Sequence, residues 1–388
     1  MKKIIFTRGV MGAGKSYFLE KYRLEPWTIS SDQIRLLLRN PIYGSYGNLN
    51  INQTVNKETF QLIRKLIESK IENREFIIID CTNLNYNFIN SYHKMCIDYG
   101  YEEYILDFSD VPLDKVLYNN SNRTFRLPKQ VLKDTYKQLS EEVEPPSWVK
   151  FLKPDNFFRE VDYQQKDFSK WKKIHHIGDL HGCYTVLKKY LNGLLKEDEL
   201  YIFTGDYIDR GLEHKELMSM LISISNKPNV IFIEGNHEKN LFQYANNKET
   251  TKYFKEYTMK EMTYFDKKKL RNFYRKLKPF VYYKYNEKSV LVSHGGLTFL
   301  PRNFFTISDE QFIRGIGDYK MNVGLLWDKN TKQDQYQVHG HRNTLKLPII
   351  NGTRNFVLEG GVEIGGDLRI VTLDATGFNE HYIKNDNK

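Results

Sequence analysis

The sequence predicts a two-part α/β protein in which apolar β-runs end in turns that carry the chemistry. Three observations predict it. A phosphate-loop pattern, Gly9-Val10-Met11-Gly12-Ala13-Gly14-Lys15-Ser16, follows the apolar run Ile4-Ile5-Phe6 and opens a helical stretch from Lys15 to Tyr22. A second run, Phe76-Ile77-Ile78-Ile79, is apolar throughout, as in a strand buried on both faces of a parallel sheet, and ends in Asp80 before Thr82 and Asn83. Between Gly178 and His341, five further apolar runs each lead into a turn bearing Asp, Asn or His.

The chain has 388 residues, 40% of them hydrophobic, enough for two domains with sizeable cores. The pattern loosens after Ser140 into Glu141-Glu142-Val143-Glu144-Pro145-Pro146 and then a Lys/Asp/Phe-rich stretch to Trp171, which marks the junction. Domains are therefore expected at 1–168 and 169–388, with Asn156–Val161 as a candidate last strand of the first. No apolar stretch reaches membrane-spanning length, and Met1-Lys2-Lys3 runs directly into a strand without a secretory h-region. The expected location is the cytoplasm, that of the host if the chain is phage-encoded. Cys81, Cys96 and Cys183 are odd in number and lack CxxC spacing, which supports neither a disulfide framework nor a structural zinc site. A formal net charge of +10 favours a polyanionic partner.

Within the loop, glycines let backbone N–H groups turn inward around phosphate oxygens, Lys15 reaches the outer phosphates and Ser16 can ligate Mg²⁺. The helix beginning at Lys15 adds its positive end. A plain glycine turn before a helix is the alternative, and the preceding strand argues against it. Next, Ile29-Ser30-Ser31-Asp32-Gln33-Ile34-Arg35 ends an apolar stretch and opens a helix, so Asp32 and Arg35 share a face one turn apart. A carboxylate there can accept a proton from an attacking hydroxyl while the arginine holds an acceptor phosphate. Equally, Ser31 or Asp32 can serve only as the helix N-cap.

These residues resemble the polynucleotide 5′-kinase family of phage and bacterial nucleic-acid end-repair enzymes. The resemblance covers the phosphate loop, Ser31-Asp32 with Arg35, Asp80-Cys81-Thr82-Asn83-Leu84-Asn85 and a lid-like Asn120-Ser121-Asn122-Arg123 leading to Pro128. It implies an N-terminal P-loop parallel α/β kinase domain whose Gly9, Gly12, Gly14, Lys15 and Ser16 hold ATP, or another nucleoside triphosphate, with Mg²⁺. It further implies that Asp32 is the general base on a 5′-hydroxyl, that Arg35 contacts the acceptor phosphate and that Arg123 clamps the donor phosphates. The family often has a second lid arginine where this chain has Asn119; Arg126 is the candidate substitute, or else a solvated surface arginine.

In the second half the motifs are His176-Ile177-Gly178-Asp179-Leu180-His181-Gly182, Gly205-Asp206-Tyr207-Ile208-Asp209-Arg210-Gly211, Gly235-Asn236-His237-Glu238, Ser293-His294-Gly295-Gly296 and His339-Gly340-His341. Placement at successive strand ends gathers them at one sheet edge. Two divalent metals about 4 Å apart need such a mixture of a bridging carboxylate with O and N donors, and together they can activate water and neutralise phosphoryl transfer. An isolated histidine is usually structural; five such elements in order are not.

This half resembles the calcineurin-like binuclear metallophosphoesterases, especially the phosphoprotein-phosphatase branch and the phosphatase domain of bacterial polynucleotide kinase/phosphatases. The resemblance implies a β-sandwich flanked by helices and two divalent metals, Mn²⁺ being the usual one. Asp179 and His181 would bind the first metal, Asp206 would bridge, and Asn236, His294 and His341 would bind the second. His237, oriented by Asp209, would protonate the leaving oxygen, and Arg210 would hold the substrate phosphate. His176 and His339 are given supporting roles, and Glu359 stands where the end-repair enzymes usually carry Asp.

Residues 239–288 hold 14 Lys/Arg against 5 Asp/Glu, interleaved with Tyr253, Phe254, Tyr257, Tyr264, Phe265, Phe273 and Tyr274. Stacking plus phosphate contact holds single strands, with Lys267-Lys268-Lys269 as the candidate phosphate contact. The same rings, spaced at three and four, can instead face a core.

The resemblance implies a bifunctional end-healing enzyme that phosphorylates 5′-hydroxyl ends and removes 3′-phosphate or 2′,3′-cyclic phosphate ends, of RNA before DNA. Its partners would be nucleic-acid ends, with a separate ligase sealing them, no membrane, and a homodimer possible. The alternatives are a small-molecule kinase fused to a phosphoprotein or dinucleoside polyphosphate phosphatase, and a binding module without turnover.

Overall fold

The computed structural model describes residues 2–44, 47–141, 144–193 and 195–386. Met1, Glu142 and Val143, which entered the reading of the chain start and the junction, lie outside the described residues. The chain divides into two compact units, one of residues 1–163 with 303–308 and one of 164–302 with 309–388.

The first unit is built on a five-stranded parallel sheet in the order Thr28–Ser30, Ile77–Asp80, Lys3–Arg8, Glu102–Asp107, Lys150–Leu152. Side chains alternate across a strand, so Ile4, Phe6, Ile77 and Ile79 enter one core while Ile5 and Ile78 enter the other. Both faces are covered, which explains why these strands read as unbroken apolar runs. Asn303–Ser308 belongs to this unit and lays the Phe305 ring 4.7 Å from that of Phe76. The expected strand at Asn156–Val161 is not one. Pro154 opens a 3₁₀ turn there that runs into the short helix Phe157–Val161, and the last strand is Lys150–Leu152. Proline fixes φ near the helical value and suits the first turn, which the apolar pattern alone did not register.

The second unit has two five-stranded sheets. One runs Val230–Phe232, Glu199–Phe203, Lys173–Ile177, Asp367–Asp374, Gly377–Lys384, and the other Asn355–Val357, Gln335–His339, Lys288–Ser293, Phe280–Tyr285, Lys166–Asp167. Ile174, Ile202 and Val371 from the first share a core with Val281, Val292 and Val338 from the second, the packing of a β-sandwich. The other face of the first sheet is covered by helices that include Tyr184–Leu191, His214–Ile224 and Lys267–Tyr274. Each sheet contains three mutually parallel strands, so their C-terminal ends fall together. Among the described residues, no helix is long and apolar enough to cross a membrane.

Candidate functional site

In the second unit, all six strands of the two parallel triplets end in a candidate ligand or catalytic side chain. Lys173–Ile177 leads to Asp179 and His181, Glu199–Phe203 to Asp206 and Asp209, and Val230–Phe232 to Asn236 and His237. Lys288–Ser293 leads to His294, Gln335–His339 to His341 and Asn355–Val357 to Glu359.

Asp206 is the hub. Its Oδ2 lies 3.1 Å from His294 Nε2, 3.5 Å from His181 Nε2 and 4.0 Å from His237 Nε2. It belongs both to a donor group with His181 and His237 and to one with His294 and His341, each within 4.8 Å. Burial opposes its ionisation, but the rings of His294, His237 and His181 overcome this and hold its pKa well below the ordinary value. His181 Nδ1 faces the Ile208 carbonyl at 3.1 Å and His294 Nδ1 the Thr204 carbonyl at 2.9 Å, which leaves both Nε2 atoms aimed inward. Asn236 Oδ1 is 3.3 Å from His294 Nε2. Burial, and His294 beside it, push the His341 pKa far down, which favours the uncharged ring that metal ligation uses.

The residues fit a pair of divalent cations. Asp179 Oδ1 and His181 Nε2 are buried with no hydrogen-bond partner among the described residues. Asp179, His181 and Glu359 form a third donor group, in which burial and then the charge of Glu359 push the Asp179 pKa well up. Carboxylates crowded in this way around an orphaned imidazole nitrogen call for positive charge.

Backbone geometry is committed to the same end. Non-glycine residues His181, Asp206, Asp209, Arg210 and His341 have φ of 38°, 51°, 68°, 70° and 61°. At Gly340 a Cβ would lie 1.9 Å from Asp179 Oδ1. Gly340→Ala is therefore expected to displace that carboxylate and weaken metal binding by about 10- to 100-fold, as altered ligand support does, read by calorimetric Mn²⁺ titration. Unchanged affinity would show that Asp179 is not held against Gly340.

His237 sits at the N-cap of helix Glu238–Ala245, its Nδ1 2.7 Å from Asp209 Oδ2. Burial disfavours the charged ring, but Asp209 and the charge of Asp206 outweigh it and raise the pKa. Asp209 in turn accepts hydrogen bonds from Asn240, at 3.2 Å, and from the Thr258 hydroxyl. Arg210 Nη1 is 3.2 Å from Glu363, and its side chain is 43% exposed. His176 bridges Val371 O and the Tyr283 hydroxyl inside the sandwich, and His339 is buried outside the three donor groups, so neither joins the cluster.

Two supports escaped the sequence reading. Glu238 is fully buried and accepts from the backbone N–H of Asp206, Tyr207 and Gly235 at 3.0, 2.8 and 2.8 Å, fixing the Asp206 turn. Its position next to His237 was the available signal. Glu363 had none, being 153 positions from Arg210.

In the first unit, Gly9, Gly12 and Gly14 have φ of 146°, 89° and 97°, and a Cβ on Gly12 would meet Val116 O at 2.9 Å. Lys15 Nζ donates to Gly9 O at 2.7 Å and Val10 O at 2.9 Å, folding over the loop. Ser16 Oγ donates to Asp80 Oδ2 at 3.2 Å, which joins a hydroxyl and a carboxylate where Mg²⁺ needs both. Asp80 received no role from the sequence, because the pairing depends on Ile77–Asp80 lying beside Lys3–Arg8.

Asp32 and Arg35 meet at 2.8 Å, and Arg35 Nε donates to Asn56 Oδ1 at 2.8 Å. The capping alternative is not seen: the helix Ser31–Leu38 has no side-chain cap, and the Ser31 hydroxyl donates to Asp80 O at 3.3 Å. Burial lowers the Lys15 pKa; Asp80 opposes this, Arg123 adds to it and Asp32 opposes it again, so all three act on one ammonium. Asn119 donates from Nδ2 to Gly12 O at 2.8 Å, bracing the loop where a lid arginine was looked for. Arg126 is exposed and donates to Arg123 O at 3.2 Å.

Residues 172–366 match the family profile of calcineurin-like phosphoesterases. The chain belongs to the calcineurin-like phosphoesterases. Residues 4–146 match the profile of an AAA domain, so a P-loop, kinase-like unit precedes the phosphoesterase. The calcineurin-like phosphoesterase part is similar to an asymmetrical bis(5′-nucleosyl)-tetraphosphatase PrpE of Oceanobacillus iheyensis, 24% identical over 50% of this chain and 86% of that protein. It is also similar to serine/threonine-protein phosphatase 2 of Salmonella typhimurium, 38% identical over 20% of this chain and 35% of that one. Among solved structures, a protein serine/threonine phosphatase from Saccharomyces cerevisiae matches at 15% identity and a TM-score of 0.42, covering 60% of this chain and 87% of that one. The phosphoesterase assignment makes this an enzyme with a hydrolase centre for divalent metals and a P-loop for nucleotide.

Proposed function

We propose that the chain is a bifunctional nucleic-acid end-healing enzyme, phosphorylating 5′-hydroxyl ends and clearing 3′-phosphate or 2′,3′-cyclic phosphate ends, with RNA ahead of DNA. The observation that carries it is the Asp32–Arg35 pair, at 2.8 Å, beside Lys15. A nucleotide hydrolase has no need of an acceptor-side base and cation; a phosphotransferase to a phosphate-bearing alcohol needs both.

In this reading Asp32 takes the proton of the 5′-hydroxyl as its oxygen bonds to the γ-phosphorus of ATP and the β–γ bridging bond breaks, releasing ADP. Lys15 and Arg123 neutralise the transferring group, and Ser16 with Asp80 holds Mg²⁺. Arg35 holds the acceptor-strand phosphate. In the other unit Asp179, His181, Asp206, Asn236, His294 and His341 hold two divalent ions, Mn²⁺ first among them. Such ions supply charge neutralisation and water of lowered pKa. Arg210, steadied by Glu363, holds the phosphate, and His237 gives its Nε2 proton to the leaving oxygen while Asp209 keeps the ring oriented. A separate ligase acts downstream.

A second reading has a specific support: the similarity to a tetraphosphatase over half the chain favours a dinucleoside polyphosphate as substrate of the metal centre, beside a small-molecule kinase. One experiment separates them. An RNA oligonucleotide with a 5′-hydroxyl and a 2′,3′-cyclic phosphate is incubated with ATP, Mg²⁺ and Mn²⁺ and mapped at both ends, beside diadenosine tetraphosphate and a phosphopeptide. Healing of both RNA ends is the expected result. Unaltered ends with brisk cleavage of the dinucleotide favour the second reading.

A further inference from the structure

The basic insert was open to two readings of its rings, and the structure divides them. Phe254, Phe273 and Tyr274 are buried in the core of the second unit, whereas Tyr253 and Tyr257 are 41% and 60% exposed. The two exposed rings lie with centroids 4.7 Å apart at an interplanar angle of 33°, one turn apart on a single surface. Their segment contains the π-helical turn Phe254–Thr258, an uncommon conformation concentrated at functional sites. Phe254 and Thr258, both at 0% exposure, anchor that turn from below.

The anchoring reaches the catalytic apparatus directly. The Thr258 hydroxyl donates to Asp209, the residue whose carboxylate meets His237 Nδ1 and whose chain neighbour is Arg210. The exposed pair is thus carried on a turn bonded to Asp209, next in the chain to the arginine proposed to hold the substrate phosphate. Tyr264 is also exposed, but its face is already covered by Lys215 Nζ at 3.9 Å from the ring centre. Tyr253 and Tyr257 offer aromatic faces on a turn tied to Asp209, the neighbour of the arginine proposed to hold phosphate, and an aromatic face next to a phosphate is complementary to a nucleobase one sugar away.

We propose that Tyr253 and Tyr257 form a stacking platform for the nucleobase adjoining the phosphate that the metal centre hydrolyses. The platform requires a nucleotide substrate at that centre, whether a strand end or a dinucleotide, and does not require end healing.

The test uses the full chain loaded with Mn²⁺. The quantity read is the ratio of kcat/KM for a base-bearing substrate to that for glycerol 2-phosphate. For an oligonucleotide ending in adenosine 3′-phosphate, Tyr253→Leu with Tyr257→Leu is expected to lower the ratio about tenfold through KM, the size of one lost base–aromatic stack. Tyr253→Phe with Tyr257→Phe retains it, because the rings remain. A fall confined to the oligonucleotide places a strand end on the rings; a fall shared by diadenosine tetraphosphate places any nucleotide there, and both support the platform. An unaltered ratio overturns it, and so does an equal rise in KM for a phosphoserine peptide.

A second measurement is independent of turnover. The fluorescence of 2-aminopurine in the terminal nucleotide is expected to be quenched on binding to the wild type and the Phe pair but not the Leu pair. Wild-type binding without quenching overturns the platform. If RNA ends are not healed while the quench persists, the end-healing reading falls and the platform stands.

Discussion

Asp206→Asn is expected to lower phosphoester turnover by at least about a thousandfold while the second unit stays folded. The substitution keeps the shape of the side chain and removes its charge. Among the described residues Asp206 is shared by the donor group of His181 with His237 and that of His294 with His341, so one lost charge weakens both groups at once. It also removes one of the two anions, after Asp209, that steady the protonated form of His237, the candidate proton donor, 4.0 Å away. Losing a single preorganised donor costs about 10²–10³ in kcat, and here a bridging charge and a proton-donor partner go together. The fold should persist because the Asp206 turn is held through its backbone N–H by Glu238 at 3.0 Å. The check is kcat on glycerol 2-phosphate at saturating Mn²⁺, with circular dichroism alongside. Near-wild-type turnover would remove Asp206 from the centre.

Lys15→Ala is expected to lower ATP-dependent phosphorylation of a 5′-hydroxyl oligonucleotide by about 10²–10³-fold, the cost of one lost charge on a transferring phosphoryl group. Lys15 is buried and, among the described residues, donates to the carbonyls of Gly9 and Val10, at 2.7 and 2.9 Å. Bringing its ammonium onto phosphate exchanges two neutral acceptors for a charged one, which is the stronger hydrogen bond. Because the truncation leaves those carbonyls without their donor, Lys15→Met, which keeps the stem, controls for collapse of the loop. Equal phosphorylation by wild type and both variants would overturn the assignment; loss in alanine alone would make Lys15 a structural brace.

The chemistry was legible where strand ends carry it. Unbroken runs such as Phe76-Ile77-Ile78-Ile79 announced a sheet covered on both faces, and parallel strands bring their C-terminal turns to one edge, so Asp179, Asp206, Asn236, His294 and His341 could be grouped without knowing strand order. Order itself was not legible, and what depends on it was missed. Ser16 finds Asp80 because of which strand neighbours which, and Arg210 finds Glu363 across 153 positions. Asn119 illustrates a different limit: a departure from an expected arginine reads as a deficiency until its amide is seen on Gly12 O at 2.8 Å. The insert's composition was ambiguous because a ring looks the same in sequence whether it faces a core, as Phe254 does, or solvent, as Tyr257 does.

The left-handed backbone at His181, Asp206, Asp209, Arg210 and His341 sets a limit on how this protein can be improved. L side chains adopt that conformation at an energetic cost, and glycine is the residue that relieves it. At these positions glycine removes the very side chain to which the proposed mechanism gives metal, phosphate or the proton donor. Asn192, Asn247 and Asn286 share the conformation without that duty. Selection for greater heat resistance therefore has latitude in such peripheral loops and none at the centre, where durability and catalysis compete for the same residues.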